Sequence, residues 1–187
     1  MPHYSCPKTL LENIARASEK AARLARAFKL MDSKQFKLLV QEKGVATTKT
    51  EDLDFKTLAD VLIQEIIRHS LTEAYPTLGK KIRGEEQMVF TNTLGETVNV
   101  EISHCQENTL EMLKKILPGP GTGAERLTNI IHSNEDPVSS KDPLGDGVRN
   151  LNNIQEDISV DDLGVLIDPI GSYFFVESWL YLYFLVL

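Results

Sequence analysis

The chain has 187 residues, 42% of them hydrophobic and 25% charged, with a formal net charge of −7. That is one ordinary domain, or one large piece of a two-domain enzyme, with a globular rather than a disordered composition. The acidic balance repels nucleic-acid phosphates at long range and argues against DNA or RNA as a partner, while bound cations would still admit a phosphorylated small molecule. From Thr9 to about Leu30, the residues Leu10, Ile14, Ala17, Ala21, Leu24, Ala25 and Phe28 recur at helical spacing among charged residues, so a long amphipathic helix is predicted. Asp32-Ser33 reads as a break and a new cap, followed by a shorter helix through "KQFKLLVQEKG" ending near Gly44. "VATTKTEDLD" is a polar connection. "FKTLADVLIQEIIRHSLTEAY" predicts a second long helix from Phe55 to Tyr75, with Leu58, Val61, Leu62, Ile66 and Leu71 on one side, ended by Pro76.

The pattern then turns to strands. Gln87–Thr91 and Thr97–Ile102 have β character, and Thr93-Leu94-Gly95-Glu96 between them reads as a turn, which predicts a hairpin. "ENTLEMLKKIL" and "GAERLTNIIHS" predict two helices split by "PGPGTG". "NEDPVSSKDPLGDGVRNLNNIQED" has no period and reads as a long surface loop. "LGVLID" is a short branched apolar run, expected as a central strand. No internal repeat is present.

Cys6 and Cys105 form no CxxC pair, so zinc and redox motifs are absent from the sequence. One disulfide is compatible with two cysteines, and a reducing compartment is the simpler expectation. The N-terminus lacks a basic region followed by an apolar run, and no stretch reaches the roughly 20 apolar residues of a membrane span. The expected location is cytoplasmic, without a membrane.

Three stretches carry chemistry. Gly84-Glu85-Glu86 sets two carboxylates side by side. Two such charges about 4 Å apart repel by roughly 4 kcal/mol at an effective dielectric of about 20. A hard cation such as Mg²⁺ would relieve that repulsion; a solvated turn would relieve it equally well. Asp168-Pro169-Ile170 follows an apolar strand, which puts a carboxylate where open sheets place ligands, although Asp-Pro turns also commonly just end strands. Asp60 lies about 200° around its helix from Leu58, off the apolar stripe, a position that also suits a plain surface carboxylate.

"DFKTLAD", then "IRGEE" and "FTNTLGETVNVEI", then "LGVLIDPI" after a long gap, together resemble the inositol polyphosphate 1-phosphatases. These belong to the Mg²⁺-dependent, lithium-sensitive phosphatase superfamily of inositol monophosphatase. The resemblance covers nearly the whole chain to Ile170. It implies an α/β fold: the α+β first domain of a layered α/β sandwich, with long N-terminal helices and a mainly antiparallel sheet. It implies removal of the 1-phosphate from inositol 1,4-bisphosphate and inositol 1,3,4-trisphosphate by metal-assisted hydrolysis. By the same resemblance Glu85 and Asp168 bind Mg²⁺, joined by the backbone carbonyl of Ile170. Asp60 works with a threonine to activate the attacking water, and Glu86 supports the ligands from behind.

The family motif continues past "DPI" with an aspartate, a small residue and a threonine, where this chain has Gly171, Ser172 and Tyr173. The expectation is therefore a phosphatase-family segment over 1–170, incomplete beside the full-length enzyme, and a divergent hydrophobic tail over 171–187. Such a chain would be a prematurely ended product or a gene-model artefact, with little or no activity. The alternative function is a catalytically dead product that binds a cation weakly or regulates a partner. The tail, with Glu177 its one charge and no proline, carries the composition of an aggregating segment.

Other signals point elsewhere. "GPGTGAERL" follows a helix and lacks Gly-Lys-Ser/Thr, so it reads as a link rather than a phosphate loop. "DPLGDG" lacks the carboxylate spacing of a calcium loop. His3, His69, His104 and His132 show no paired ligand spacing and read as surface or packing residues.

Overall fold

The computed structural model describes residues 7–31, 37, 39–42, 55–117, 122–133, 159–168 and 183–186. Helix α1 (Pro7–Lys29) realises the first predicted helix. Leu10, Ile14, Ala17, Ala21, Leu24 and Phe28 are all buried along one face. The small Ala17 and Ala21 let α1 approach closely, and its main partner is helix α2 (Leu58–Ala74). Asn13 donates to the Tyr75 hydroxyl at 3.0 Å, and Lys20 donates to the Ile131 carbonyl at 3.1 Å, which fixes α1 at two further points.

Of the short helix expected over 34–44, Lys37 is helical, residues 34–36, 38, 43 and 44 lie outside the described residues, and the stretch from Val40 differs. Val40–Glu42 is a strand, β1, paired antiparallel with β2 (Phe55–Thr57) so that Val40 faces Thr57. Leu58 N–H donates to the Leu39 carbonyl at 2.9 Å, and the Leu39 side chain is buried. A partner strand and a place in the core outweigh the weak helix preference of "KLLVQEK".

The second long helix begins three residues later than expected. Thr57, extended at φ −111° and ψ 157°, is its N-cap, and Thr57 and Asp60 form a reciprocal capping box. Every residue from Leu58 to Ile67 is buried, so this end of α2 is covered all round rather than on one stripe. Tyr75 caps the C-terminus, and Pro76 opens a single further turn, α3 (Pro76–Gly79).

The predicted hairpin is present as β4 (Val89–Thr91) and β5 (Thr97–Asn99), antiparallel, with Phe90 opposite Val98. Gly95 takes φ +83°, which side chains resist. Buried Asn92 closes the turn: its Oδ1 accepts from Leu94 N and Glu96 N at 3.0 and 2.9 Å, and its Nδ2 donates to the Ile116 carbonyl at 3.2 Å. Helices α4 (Gln106–Ile116) and α5 (Thr122–His132) follow and pack together through Leu113, Ile116, Leu127 and Ile131.

The predicted central strand is β6 (Val165–Asp168), entered from a 3₁₀ turn at Val160–Asp162. It lies between β3 (Ile82–Gly84), which runs parallel to it, and β7 (Tyr183–Val186), which runs antiparallel. The result is a mixed helix-and-sheet structure of the α+β kind, with long N-terminal helices. The expected loop over 134–157 and most of the 171–187 tail lie outside the described residues. Among the described residues, no helix is long and apolar enough to cross a membrane.

Candidate functional site

Parallel pairing sets the geometry. Ile82 faces Val165 and Gly84 faces Ile167, and the ladder continues as Glu85 N–H donates to the Ile167 carbonyl at 3.3 Å. The carboxyl ends of β3 and β6 therefore lie side by side and deliver Glu85 and Asp168 to one edge. That edge is where open sheets present ligand-binding groups.

Helix α2 holds this edge from behind. The Gln64 amide grips the Glu86 backbone twice: its Nε2 donates to the Glu86 carbonyl at 2.8 Å, and its Oε1 accepts from Glu86 N at 2.9 Å. A methyl group at Gly84 would overlap that amide, so the glycine is needed for the close approach. Asp60 sits one turn before Gln64 on the same face of α2. Thus the clamp that fixes the acidic turn also sets its position relative to Asp60.

Asp60 is 7% exposed, so the surface placement allowed by its helical angle is not the observed one. Its Oδ2 accepts from both Thr57 N and Thr57 Oγ1 at 2.7 Å. The threonine hydroxyl that meets Asp60 in this chain is thus Thr57. The Thr-x-x-Asp spacing of "TLAD" is the local capping signal that announces this contact. A carboxylate at a helix N-terminus is also favoured by the helix dipole.

Asp168 is half-buried, and its Oδ1 is buried with no hydrogen bond among the described residues. A buried acceptor without a donor costs about 1–3 kcal/mol. A cation would remove that cost. Glu85 is exposed and Glu86 half-buried. The Ile170 carbonyl, expected as a further ligand, lies outside the described residues, as do Gly171 and Tyr173. The ligand atoms of Asp60, Glu85 and Asp168 do not all lie within 4.8 Å of one another.

A different group does. His69, Glu73 and His104 bring one ligand atom each within 4.8 Å of the others. His104 is indeed a surface residue and His132 packs against Thr109, while His3 lies outside the described residues; what the sequence spacing did not show is that the chain returns after the hairpin and lays His104 over the C-terminal half of α2. The legible part of the signal was the i,i+4 pair His69 and Glu73; the third member is set by tertiary folding. Burial pushes the His69 imidazole below its ordinary value, and Glu73 beside it opposes that shift. The group borders a cleft of about 580 Å³ that is also lined by Glu65, Arg68 and Glu101. Glu65, 1% exposed, receives Arg68 Nε at 2.9 Å; burial pushes its carboxyl up and Arg68 pulls it down.

Helices backing a parallel strand pair, with acidic side chains at the strands' carboxyl ends, make this a protein of the α+β class with a candidate ligand-binding edge. No protein-family model matches the chain. Curated relatives do. It is 40% identical over 164 residues to the inositol polyphosphate 1-phosphatase of Mus musculus and 40% identical to that of Bos taurus. It is 37% identical to that of Homo sapiens over the same length. The matched region is 87% of this chain and 38–39% of each relative, so the chain spans about two fifths of the length of the relatives it matches. Over those 164 residues the chain is similar to the inositol polyphosphate 1-phosphatases.

Proposed function

We propose that this chain carries the first-metal portion of a Mg²⁺-dependent phosphatase site for the 1-phosphate of inositol polyphosphates. Inositol 1,4-bisphosphate and inositol 1,3,4-trisphosphate are its substrate class, and the cytoplasm is its location. The observation that supports this most is the shared edge of β3 and β6, where Glu85 and Asp168 emerge together under the Gln64 clamp.

The residues fit a hard cation. Among the described residues Asp168 Oδ1 is a buried acceptor without a hydrogen bond, and the donor set is all oxygen, as Mg²⁺ prefers. Glu85, Asp168 and the Ile170 carbonyl would hold the ion. When bound, Mg²⁺ neutralises phosphate charge and acidifies water. The chain's own contribution is orientation: Thr57 fixes the Asp60 carboxylate as the base for water, and Gln64 fixes the Glu86 backbone behind Glu85.

Turnover is expected to be low. Gly171 and Tyr173 stand where the family motif has a carboxylate and a threonine, which removes a second-metal ligand and the usual partner of Asp60. That same departure supports the second reading, a weak cation binder or regulatory chain without catalysis. In this account residues 1–170 form the phosphatase-family segment and 171–187 the departing one, with 183–186 adding a strand beside β6.

The test is phosphate release from inositol 1,4-bisphosphate at millimolar-range Mg²⁺, against one of the mammalian relatives. Loss of a water-activating partner alone predicts turnover lower by about 10² or more. Turnover equal to the relative's would overturn the low-activity reading.

A further inference from the structure

We propose that His69, Glu73 and His104 form a site for one divalent transition-metal ion of the zinc class, separate from the carboxylate edge. His104 Nδ1 lies 2.9 Å from Glu73 Oε1, and His69 Nδ1 lies 3.6 Å from Glu73 Oε2. The two imidazole rings are 5.0 Å apart between centroids. Zinc–ligand bonds of about 2.0–2.1 Å in a tetrahedron put ligand atoms roughly 3.3 Å from one another. These two separations, made to the two different oxygens of Glu73, lie near that spacing, and one ligand atom from each of the three residues is within 4.8 Å of the others.

The supports differ in a useful way. His69 and Glu73 are one turn apart on α2, a rigid helix packed against α1. His104 precedes α4 and its side chain is 80% exposed, so it can turn to complete the set without disturbing the core. His69 has no competing commitment among the described residues. Its Nε2 is buried without a hydrogen bond, and its Nδ1 contact to Glu73 is beyond hydrogen-bonding distance. Nearby Lys20 is engaged with the Ile131 carbonyl.

The donor set selects the ion. Two imidazoles and one carboxylate suit zinc and its neighbours, whereas Mg²⁺ takes oxygen and keeps its waters. Three protein ligands leave a fourth position open to the adjoining cleft, where a water or a small anion would sit. From Asp60 to Glu73, thirteen residues along α2 at 1.5 Å each give a separation of about 20 Å along the axis. From Gln64, which clamps the acidic turn, to His69 the rise is about 7.5 Å, so the two sites are neighbours along α2 that differ in donor chemistry.

The test is a titration of the chelator-stripped full chain with Zn²⁺ by calorimetry, repeated with Co²⁺ by visible absorption. Wild type should bind at this site, and His104→Ala and His69→Ala should each weaken binding by at least about tenfold, since loss of even a supporting partner costs 10–100-fold. Glu85→Gln should leave Zn²⁺ affinity unchanged. Cys105→Ser is the control for the exposed thiol next to His104, which donates to Glu107 Oε2 at 2.8 Å. Unchanged affinity in His104→Ala, or loss of binding in Cys105→Ser in its place, would overturn the proposal. His104→Ala replaces an exposed side chain, so a folded variant is expected and circular dichroism checks it.

Discussion

Helix α2 meets a different chemistry at each end. Its N-terminal half is buried all round, and its polar side chains there, Asp60 and Gln64, are held by Thr57 and by the Glu86 backbone. Its C-terminal half emerges into a cleft, where His69 and Glu73 stand half-buried and exposed beside His104. The first end is structural as much as functional: remove a polar group there and a buried partner is stranded. The second end is peripheral to the core, so its groups can change with little effect on folding. One helix thus clamps the acidic turn from a buried frame at one end and sets His69 and Glu73 beside the exposed His104 at the other.

The largest effect is expected at Gly84. Gly84→Ala forces the Gln64 amide away and breaks both bonds to Glu86, which should cost about 1–3 kcal/mol by overpacking and by leaving buried groups unsatisfied. Urea unfolding measures it, and an unchanged midpoint would mean the clamp contributes nothing. Next comes Thr57→Ala, which removes the cap of α2 and should cost about 1 kcal/mol in the same assay. A loss below the error of the assay would show that the capping box is decorative. At the other end, His104→Ala should change stability by less than about 0.5 kcal/mol, as expected of an exposed substitution. A loss as large as that at Gly84 would erase the contrast between the two ends.

The smallest effect is a pH dependence at His132. Its ring nitrogen meets Thr109 Oγ1 at 3.0 Å, and burial first, then Lys20, lowers its affinity for a proton, against Glu107 and Glu73. The unfolded chain therefore binds more protons below the ordinary histidine value of about 6.5, and stability should fall as pH drops through that value. In chelator, thermal melts of His132→Gln should show a shallower fall between neutral and mildly acid pH than wild type. Parallel curves would remove His132 from the account.

Elements whose cause is local were legible in the sequence. The Leu10 to Phe28 periodicity marked α1, Gly95 marked the hairpin turn, and the branched run Val165–Ile167 marked a central strand. What could not be read depends on distant partners. Val40–Glu42 is a strand only because Phe55–Thr57 pairs with it. The Gln64 clamp joins residues 22 apart in sequence. The pairing of Tyr183–Val186 with β6 and the meeting of His69 with His104 are likewise products of the folded chain. Of the candidate site, the residue types at Glu85 and Asp168 were visible as carboxylates after strands. Their arrival at one edge required the parallel register of β3 and β6.

The central claim is that this edge is built to hold a hard cation. Calorimetric titration of the full chain with Mg²⁺, comparing wild type with Glu85→Gln and Asp168→Asn, tests it most directly. Three oxygen ligands predict weak binding in wild type, since Mg²⁺ keeps several waters, and weaker binding still in each variant. The same Mg²⁺ affinity in all three proteins would contradict the account.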